Sequence, residues 1–307
     1  MQLHGRTLDL RSPQLVAIVN LTPDSFSDGG ELPTLTDVLR RVEQLCEQGA
    51  DLLDLGGEST RPGAQAVDEQ EEVRRVVPAV AAIAARFSVP IAVDTRRASV
   101  ARAVLGCGAA MINDVSGFSD PAMADAVRAA GAAWVLMHMP HAVGQMQASL
   151  RTAAIPADVD AAIDAITLEL QDSVARAVQA GVLRSQLAID PGLGFGKSVA
   201  QNLALLLPQP RLASLGLPLY LGPSRKSFLA AVSRDRAIEK GHGKPRELPA
   251  NDRLGATAAA VTAAVLANAA FVRVHDVAIM RQVIDIATSL RDGFSTRQFL
   301  DATVPRP

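Results

Sequence analysis

The chain is poor in cysteine and in aromatic residues. Only two of its 307 residues are cysteine, and aromatic side chains account for 3% of the sequence. Cys46 and Cys107 have neither the spacing of a metal site nor a disulfide pattern. We therefore expect both to be small buried side chains within helices, and we expect no disulfide framework.

A strong net charge and a long apolar run are also missing. The formal net charge is −2, which argues against nucleic acid as a general partner. No run reaches the roughly 18–20 apolar residues of a membrane span, and the first residues lack the features of a signal peptide. We expect a cytoplasmic protein with small-molecule substrates and no membrane partner.

What the chain does contain is a repeated pattern of strand, loop and helix. Eight short apolar runs each stop on a polar, charged or glycine-rich segment, and a helical pattern follows. The segments begin at or close to Asn20, Glu58, Asp94, Asn113, His138, Asp190, Ser224 and His275. Because the carboxyl ends of parallel strands share one rim, this order predicts an α/β fold: a single (βα)8 TIM barrel with its active site at that rim.

The competing architecture is a doubly wound open sheet, which would bind a ligand at one switch point. Polar residues after all eight runs favour the barrel. We expect the barrel at residues 15–291, an N-terminal hairpin or extension at 1–14, an insertion at 234–250 and a C-terminal tail at 292–307. Helices are predicted at 34–48, 68–86, 97–107, 121–130, 157–180, 199–213, 227–233, 251–268 and 277–291.

Cationic and amide side chains at the strand ends suit an anion. The segment Ser224–Ser227 opens a helix, and Arg273 and His275 end the last strand. Barrels of this type bind phosphate near the loops after strands seven and eight. With Arg61 in the second loop and Asn20 at the first strand end, the set suits a diphosphate.

A second set of strand-end residues combines acids with an amide. Asp94, Asn113 and Asp190 each end a predicted strand, and Lys226 lies one turn beyond another. Such side chains are rarely buried without a partner, and a flat heterocycle with several N–H groups would satisfy them. The alternative is an internal polar network without a ligand.

Three loops combine glycine with functional residues. Those at 22–30 and 58–63 are rich in turn formers, and Phe26 in the first is suited to cover a ligand when the loop closes. Residues 190–197 pair glycines with Phe195, but they lack the P-loop spacing, which excludes a nucleoside triphosphate site.

Eight motifs in order resemble those of the dihydropteroate synthases. The motifs are VNLTPDSFSDGG, DLGGESTRPGA, VDTRRA, MINDVSG, LMHM, IDPGLGFGK, GPSRKSF and VRVHDV, spanning about residues 6–290. The resemblance implies a (βα)8 barrel and a transferase of folate biosynthesis, which condenses 6-hydroxymethyl-7,8-dihydropterin diphosphate with p-aminobenzoate. It also implies Mg²⁺ as cofactor, sulfonamides as inhibitors and a homodimer through helices of the seventh and eighth units.

The resemblance assigns roles to the matching positions, with catalysis given to Lys226, Arg61, Asp94 and Asp190. The pterin set is Asp94, Asn113, Met137, Asp190 and Lys226. The diphosphate set is Asn20, Thr60, Arg61, Arg273 and His275, with Asn20 also a Mg²⁺ ligand. The p-aminobenzoate set is Phe26, Thr60, Pro62, Phe195 and Ser227.

Two other functions share part of this pattern. A methyltransferase domain that moves a methyl group from a folate to a corrinoid would keep the pterin set, but it has no need of the PDSF, STRPG and SRKSF motifs. A non-catalytic binding module would have lost Lys226, Arg61 or Arg273. The chain departs from the family at residues 252–257, which we expect to lie away from the pocket, and His138 has no role that the sequence explains.

Overall fold

The computed structural model describes residues 1–22, 34–58, 67–140, 155–240 and 248–293. Its centre is a ring of eight parallel strands preceded by a short hairpin. The strands are β1 (Gln2–Leu3), β2 (Arg6–Thr7), β3 (Gln14–Asn20), β4 (Leu52–Gly56), β5 (Ile91–Asp94), β6 (Met111–Asp114), β7 (Ala133–Met137), β8 (Leu187–Asp190), β9 (Tyr220–Leu221) and β10 (Phe271–Val274). From β3 to β8 each strand pairs with the next, β10 pairs with both β3 and β9, and a parallel bridge between Ile189 and Leu219 joins β8 to the start of β9. The predicted (βα)8 barrel is confirmed.

Helices follow the strands and surround the ring. They are α1 (Leu35–Glu47), α2 (Glu69–Arg86), α3 (Ala98–Gly106), α4 (Ala122–Ala130), α5 (Val159–Gln179), α6 (Val199–Leu205), α7 (Pro210–Ser214), α8 (Ser227–Glu239), α9 (Leu254–Leu266) and α10 (Val277–Arg291). Short 3-10 turns lie at Arg184–Gln186 and Ala250–Asp252. Within the described ranges no helix is both long and apolar enough to cross a lipid bilayer.

Side-chain caps fix where several helices begin after the rim loops. Thr34, Asp68 and Asp158 each accept a hydrogen bond from the backbone N–H three residues later. Ser198 and Gln201 form a reciprocal capping box at the start of α6. Because the first N–H groups of a helix have no partner within it, these caps anchor the far end of each loop.

Alternation along the strands divides the apolar residues into two cores. In β4, Leu52 belongs to the core inside the barrel and Leu53 to the larger core between strands and helices. The strands are buried on both faces, as expected for a parallel barrel. The inner core fills the lower part of the barrel. The remaining inward-facing positions are therefore those at the carboxyl ends of the strands.

The N-terminal hairpin closes the bottom of the barrel. β1 and β2 pair antiparallel, and the Leu3 side chain is buried within the inner core. His4, at the hairpin turn, donates its backbone N–H to the Gly131 carbonyl. The hairpin therefore acts as a plug below the strands.

The structure corrects several predicted boundaries. The predicted helix at 199–213 is two helices, α6 and α7, because Pro208 and Pro210 interrupt the backbone hydrogen bonding. The helix predicted at 227–233 continues to Glu239, so the first part of the predicted insertion is helical. Cys107 lies just beyond the end of α3, and both cysteines are half-buried rather than buried.

The plug predicts a measurable loss of stability. Leu3→Ala leaves a cavity in the inner core and should lower the free energy of unfolding by about 2–4 kcal/mol. Chemical denaturation measures this change. The matched control is Leu168→Ala on α5, where the side chain is 64% exposed and the change should be below about 0.5 kcal/mol. Equal small losses would mean that Leu3 does not pack in the barrel.

Candidate functional site

Polar side chains from five strands share the upper interior of the barrel. They are Asp54, Asp94, Asn113, Asp190 and Arg273. Side chains two positions apart on a strand face the same side. The residues two positions earlier all belong to the inner core: Leu52, Ala92, Met111, Ala188 and Phe271.

Asp54 joins this set and was missed by the sequence reasoning. Its Oδ2 accepts hydrogen bonds from Asn113 Nδ2 at 3.1 Å and from the Tyr220 hydroxyl at 3.3 Å, and it also pairs with Arg273 Nε. The carboxyl group is fully buried. In the sequence, Asp54 is part of an apolar run. Its position two residues after Leu52, which belongs to the inner core, places it on the inward face.

Arg273 is the cation that neutralises this interior. Its Nε pairs with Asp54, and its Nη2 donates to Asp94 Oδ2 at 3.1 Å. Burial opposes the charged guanidinium, but Asp54 and Asp94 more than offset burial and raise the pKa of Arg273. The side chain predicted to bind diphosphate thus also contacts Asp94 of the pterin set and Asp54 beside it.

The pKa values of the two acids of that set are both raised. Burial raises the pKa of Asp94 to about 7, against the opposing effect of Arg273. Burial likewise raises the pKa of Asp190 to about 6, although the Gly192 backbone N–H donates to it at 2.7 Å. Among the described residues, nothing hydrogen-bonds to the buried Oδ1 of Asn113. Asn113 Oδ1 is therefore a buried acceptor to which an N–H group of a ligand can donate.

Lys226 follows a strained turn beyond β9. The backbone of Arg225 has φ +59°, which is uncommon for a residue with a side chain. Its guanidinium makes a bidentate ion pair with Asp276, with distances of 2.6 and 3.1 Å. Thr257 Oγ1 accepts from the Arg225 N–H at 3.1 Å, and Arg253 Nη1 donates to the Arg225 carbonyl at 2.7 Å.

These contacts bear on one expectation. Arg253 and Thr257 belong to the segment that departs from the family pattern and was expected to lie away from the pocket. Both contact the Arg225 backbone and so hold the turn that places Lys226 at the start of α8. Burial lowers the pKa of Lys226 to about 8, although Asp190 opposes the shift.

His275 is oriented by Ser224. The Ser224 hydroxyl accepts the His275 backbone N–H at 3.2 Å and lies 3.0 Å from His275 Nδ1. The Ser224 hydroxyl can donate its own proton to Nδ1, so Nε2 is the ring nitrogen of His275 that Ser224 does not contact. The structure thus places His275 two residues beyond Arg273, directly after the end of β10.

Asn20 ends β3 beside Gly56, its partner in the parallel register. A Cβ added at Gly56 would lie 4.0 Å from Asn20 Oδ1 and 3.8 Å from Asp94 Cβ. Within the described part of the chain, no three His, Cys, Asp or Glu side chains are grouped as metal ligands. A Mg²⁺ ion at Asn20 would therefore take most of its oxygen ligands from a substrate and from water, as Mg²⁺ commonly does.

Met137 and Phe195 line the same mouth. Met137 ends β7 and is buried, and the Phe195 ring centroid lies 3.9 Å from Lys226 Nζ. Ser227, the first residue of α8, is exposed at the rim. Four predicted site residues, Phe26, Thr60, Arg61 and Pro62, lie outside the described residues.

The ends of the second rim loop are clamped by one arginine. Arg97 donates to Glu58 Oε2 at 3.0 Å and to the Val67 carbonyl at 2.6 Å, and it pairs with the buried Glu72. Burial raises the pKa of Glu72, and Arg97 opposes that shift. Arg97 therefore connects Glu58 to Val67, the described residues on either side of the segment predicted to bind substrate.

Comparison with known proteins gives four concordant matches. The family model described as pterin binding enzyme matches residues 16–275. The dihydropteroate synthase of Escherichia coli K12 is 38% identical over 273 residues, covering 89% of this chain and 90% of that protein. A Yersinia pestis dihydropteroate synthase in complex with a sulfonamide drug gives a TM-score of 0.82 at 36% identity, covering 95% and 98% of the two chains. A Burkholderia cenocepacia dihydropteroate synthase with bound 7,8-dihydropteroate gives 0.80 at 36% identity, covering 97% and 98%.

The raised pKa of Asp94 predicts a pH-dependent stability. The pKa rises from 3.8 in the unfolded chain to about 7, so the folded protein binds this proton more tightly. The stabilising contribution is complete below pH 3.8 and is lost as the pH rises towards 7. Over that range its loss amounts to at most about 4 kcal/mol.

Asp94→Asn should remove this part of the slope when the free energy of unfolding is measured by urea denaturation across that pH range. Asp125→Asn, at an exposed carboxyl group on α4, is the matched control and should keep the original slope. An unchanged slope in Asp94→Asn would show that Asp94 does not take up the proton.

Proposed function

We propose which part of the reaction each side chain at the barrel mouth serves, given that this chain belongs to the dihydropteroate synthases of the pterin binding enzyme family. The chain condenses 6-hydroxymethyl-7,8-dihydropterin diphosphate with p-aminobenzoate to give 7,8-dihydropteroate and diphosphate. It is a transferase of folate biosynthesis and a target of sulfonamides. The observation that carries the division is the buried Oδ1 of Asn113, which has no donor among the described residues and lies beside two buried acids.

The pterin ring is bound by Asp94, Asn113, Asp190 and Lys226, with Met137 against its face. Amino and ring N–H groups of the heterocycle supply donors to Asn113 and the two carboxylates. Lys226 donates to a ring acceptor. Uncompensated buried polar groups cost about 1–3 kcal/mol each, so a ligand that pairs them gains both affinity and orientation.

The diphosphate lies above this pocket, towards Asn20, Arg273 and His275. Thr60 and Arg61, from the second rim loop, complete this set. The amide oxygen of Asn20 would hold Mg²⁺, an ion that prefers oxygen ligands and usually keeps several waters. When bound, Mg²⁺ supplies neutralisation of the leaving group's charge.

The p-aminobenzoate site lies nearest the solvent. Phe195 and Ser227 line it on the described side, and Phe26, Thr60 and Pro62 complete it from the first two loops. Ser227 is exposed and the Phe195 ring covers Lys226, which supports a p-aminobenzoate site nearer the solvent than the pterin pocket.

The substitution proceeds by loss of the leaving group first. The bond between the pterin methylene carbon and its oxygen breaks, and diphosphate departs with the electron pair. The carboxylates of Asp94 and Asp190 stabilise the positive charge that develops on the methylene-pterin unit. The aryl amine then donates its lone pair to form the carbon–nitrogen bond and releases a proton to solvent, so we assign no general base.

The division into an N-terminal extension, a barrel at 15–291 and a tail at 292–307 belongs to the same proposal, as does a cytoplasmic location.

A homodimer through the last helices is supported by apolar side chains on their outer faces. Leu266 on α9 is 43% exposed, and Ile279, Ile286 and Leu290 on α10 are 44%, 65% and 64% exposed. Seven- and four-residue spacings place the three α10 residues on one face.

Lys226 provides the direct test of the reaction. Lys226→Ala should reduce diphosphate release from pterin diphosphate and p-aminobenzoate by at least about 10²-fold, because a preorganised donor is lost. Lys240→Ala, an exposed lysine beyond α8, is the control and should retain full activity. Near-normal turnover in Lys226→Ala would remove Lys226 from the site. Release that persists in excess EDTA would overturn the Mg²⁺ assignment.

The oligomeric proposal has its own test. Ile286→Glu places a charge in the centre of the α10 face and should convert a dimer to a monomer in light scattering coupled to size exclusion. Leu168→Glu, at a 64% exposed position on α5, should leave the mass unchanged. A monomeric unmodified protein at micromolar concentration would contradict the dimer.

A further inference from the structure

Beside the catalytic site lies a second enclosed lysine, Lys197. Its Nζ donates to the Gly192 carbonyl at 2.9 Å and to the Phe195 carbonyl at 3.1 Å, and it lies 3.0 Å from His138 Nδ1. An ammonium group has three N–H donors, and these three acceptors use all of them. Although the residue as a whole is half-buried, its ammonium is enclosed.

His138, which the sequence left unexplained, supplies one of those acceptors. The ring is buried, and its Nε2 lies 3.2 Å from Glu169 Oε2 on α5. Burial lowers the pKa of His138, which favours a neutral ring that carries its proton on Nε2 and offers the Nδ1 lone pair to Lys197. Glu169 therefore lies beside the Nε2 edge of His138, and His138 Nδ1 is left to accept from Lys197.

Glycines allow the loop to approach its neighbours closely. Gly192, Gly194 and Gly196 all have positive φ. A Cβ at Gly192 would lie 2.2 Å from the His138 carbonyl oxygen, and one at Gly194 would lie 2.9 Å from Lys226 Cδ. The loop therefore packs directly on His138 and on the stem of Lys226.

Phe195 connects the two lysines. Its carbonyl accepts from Lys197, and its ring covers Lys226 Nζ at 3.9 Å, within the range of a cation–π interaction. We propose that Lys197 is a positioning residue: it fixes the 192–197 loop so that Phe195 is held over Lys226 and forms one wall of the aryl-amine site. This inference rests on the proposed function, because it concerns the same site.

A lysine ammonium is electrostatically unfavourable at this enclosed position, which argues against a purely structural role for Lys197. Burial lowers its pKa to about 7, Lys226 lowers it further, and Asp190 and Glu169 oppose the shift. Asn202 already braces the loop, since its Oδ1 accepts from Gly194 N at 2.6 Å and its Nδ2 donates to the Lys197 carbonyl at 3.1 Å. The fold should therefore survive the loss of the Lys197 ammonium.

A double-mutant cycle tests the proposal. Lys197→Met should raise KM for p-aminobenzoate about tenfold, the size expected for lost hydrogen bonds to a charged group, with a smaller change in kcat. In a Phe195→Leu background the same substitution should change KM less than about twofold, because both changes act through one ring. Lys240→Met is the matched control, and thermal melting checks the fold of every variant.

Equal tenfold effects in both backgrounds would overturn the proposal, and so would an unchanged KM in Lys197→Met. If Lys197→Met does not fold, Lys197→Gln keeps part of the donor set and should show a smaller rise in KM with the same dependence on Phe195. Failure of the unmodified protein to release diphosphate would refute the proposed function instead, so the two failures are distinguishable.

Discussion

One guanidinium group, that of Arg273, offsets the electrostatic cost of burying carboxylates inside this barrel. Asp54, Asp94 and Asp190 face inward within a low-dielectric enclosure, where isolated carboxylates are strongly disfavoured. Arg273 pairs with two of them, and Lys226 opposes the charge of the third. Asn113 is then fixed by Asp54, so the arrangement of the whole acceptor set follows from the position of Arg273 on β10.

The functional side chains at the rim are each held by residues outside the pocket. Lys226 depends on a positive-φ turn that Asp276, Thr257 and Arg253 secure. His275 depends on Ser224, and the loop after β8 is braced by Lys197 and Asn202. Preorganisation in this protein is therefore built largely from hydrogen bonds to backbone groups. Those bonds explain why side chains borne on turns can occupy fixed positions.

The barrel and most of its site were accessible from the sequence because both depend on local patterns. Apolar runs with polar ends identified eight strands, and Asp94, Asn113 and Asp190 were recognisable as strand-end residues. The helices that follow the strands were also predicted from the spacing of apolar residues, as at 68–86 for α2 and 157–180 for α5.

The features that escaped depend on pairs distant in the chain. Asp54 was hidden within an apolar run, and its importance appears only when Tyr220 and Arg273 converge on it. The partnership of Lys197 with His138 spans 59 residues, and no local pattern marks it. Arg253 and Thr257 looked remote because α9 returns to the mouth only in three dimensions.

The Leu3 plug occupies the end of the barrel opposite the polar strand ends, and the apolar inner core lies between the two. Packed side chains therefore shield the buried polar set from water on that side, and a ligand would reach it from the rim of the strands. The hairpin thus helps to keep the base of the site dry, although it lies at the far end of the barrel.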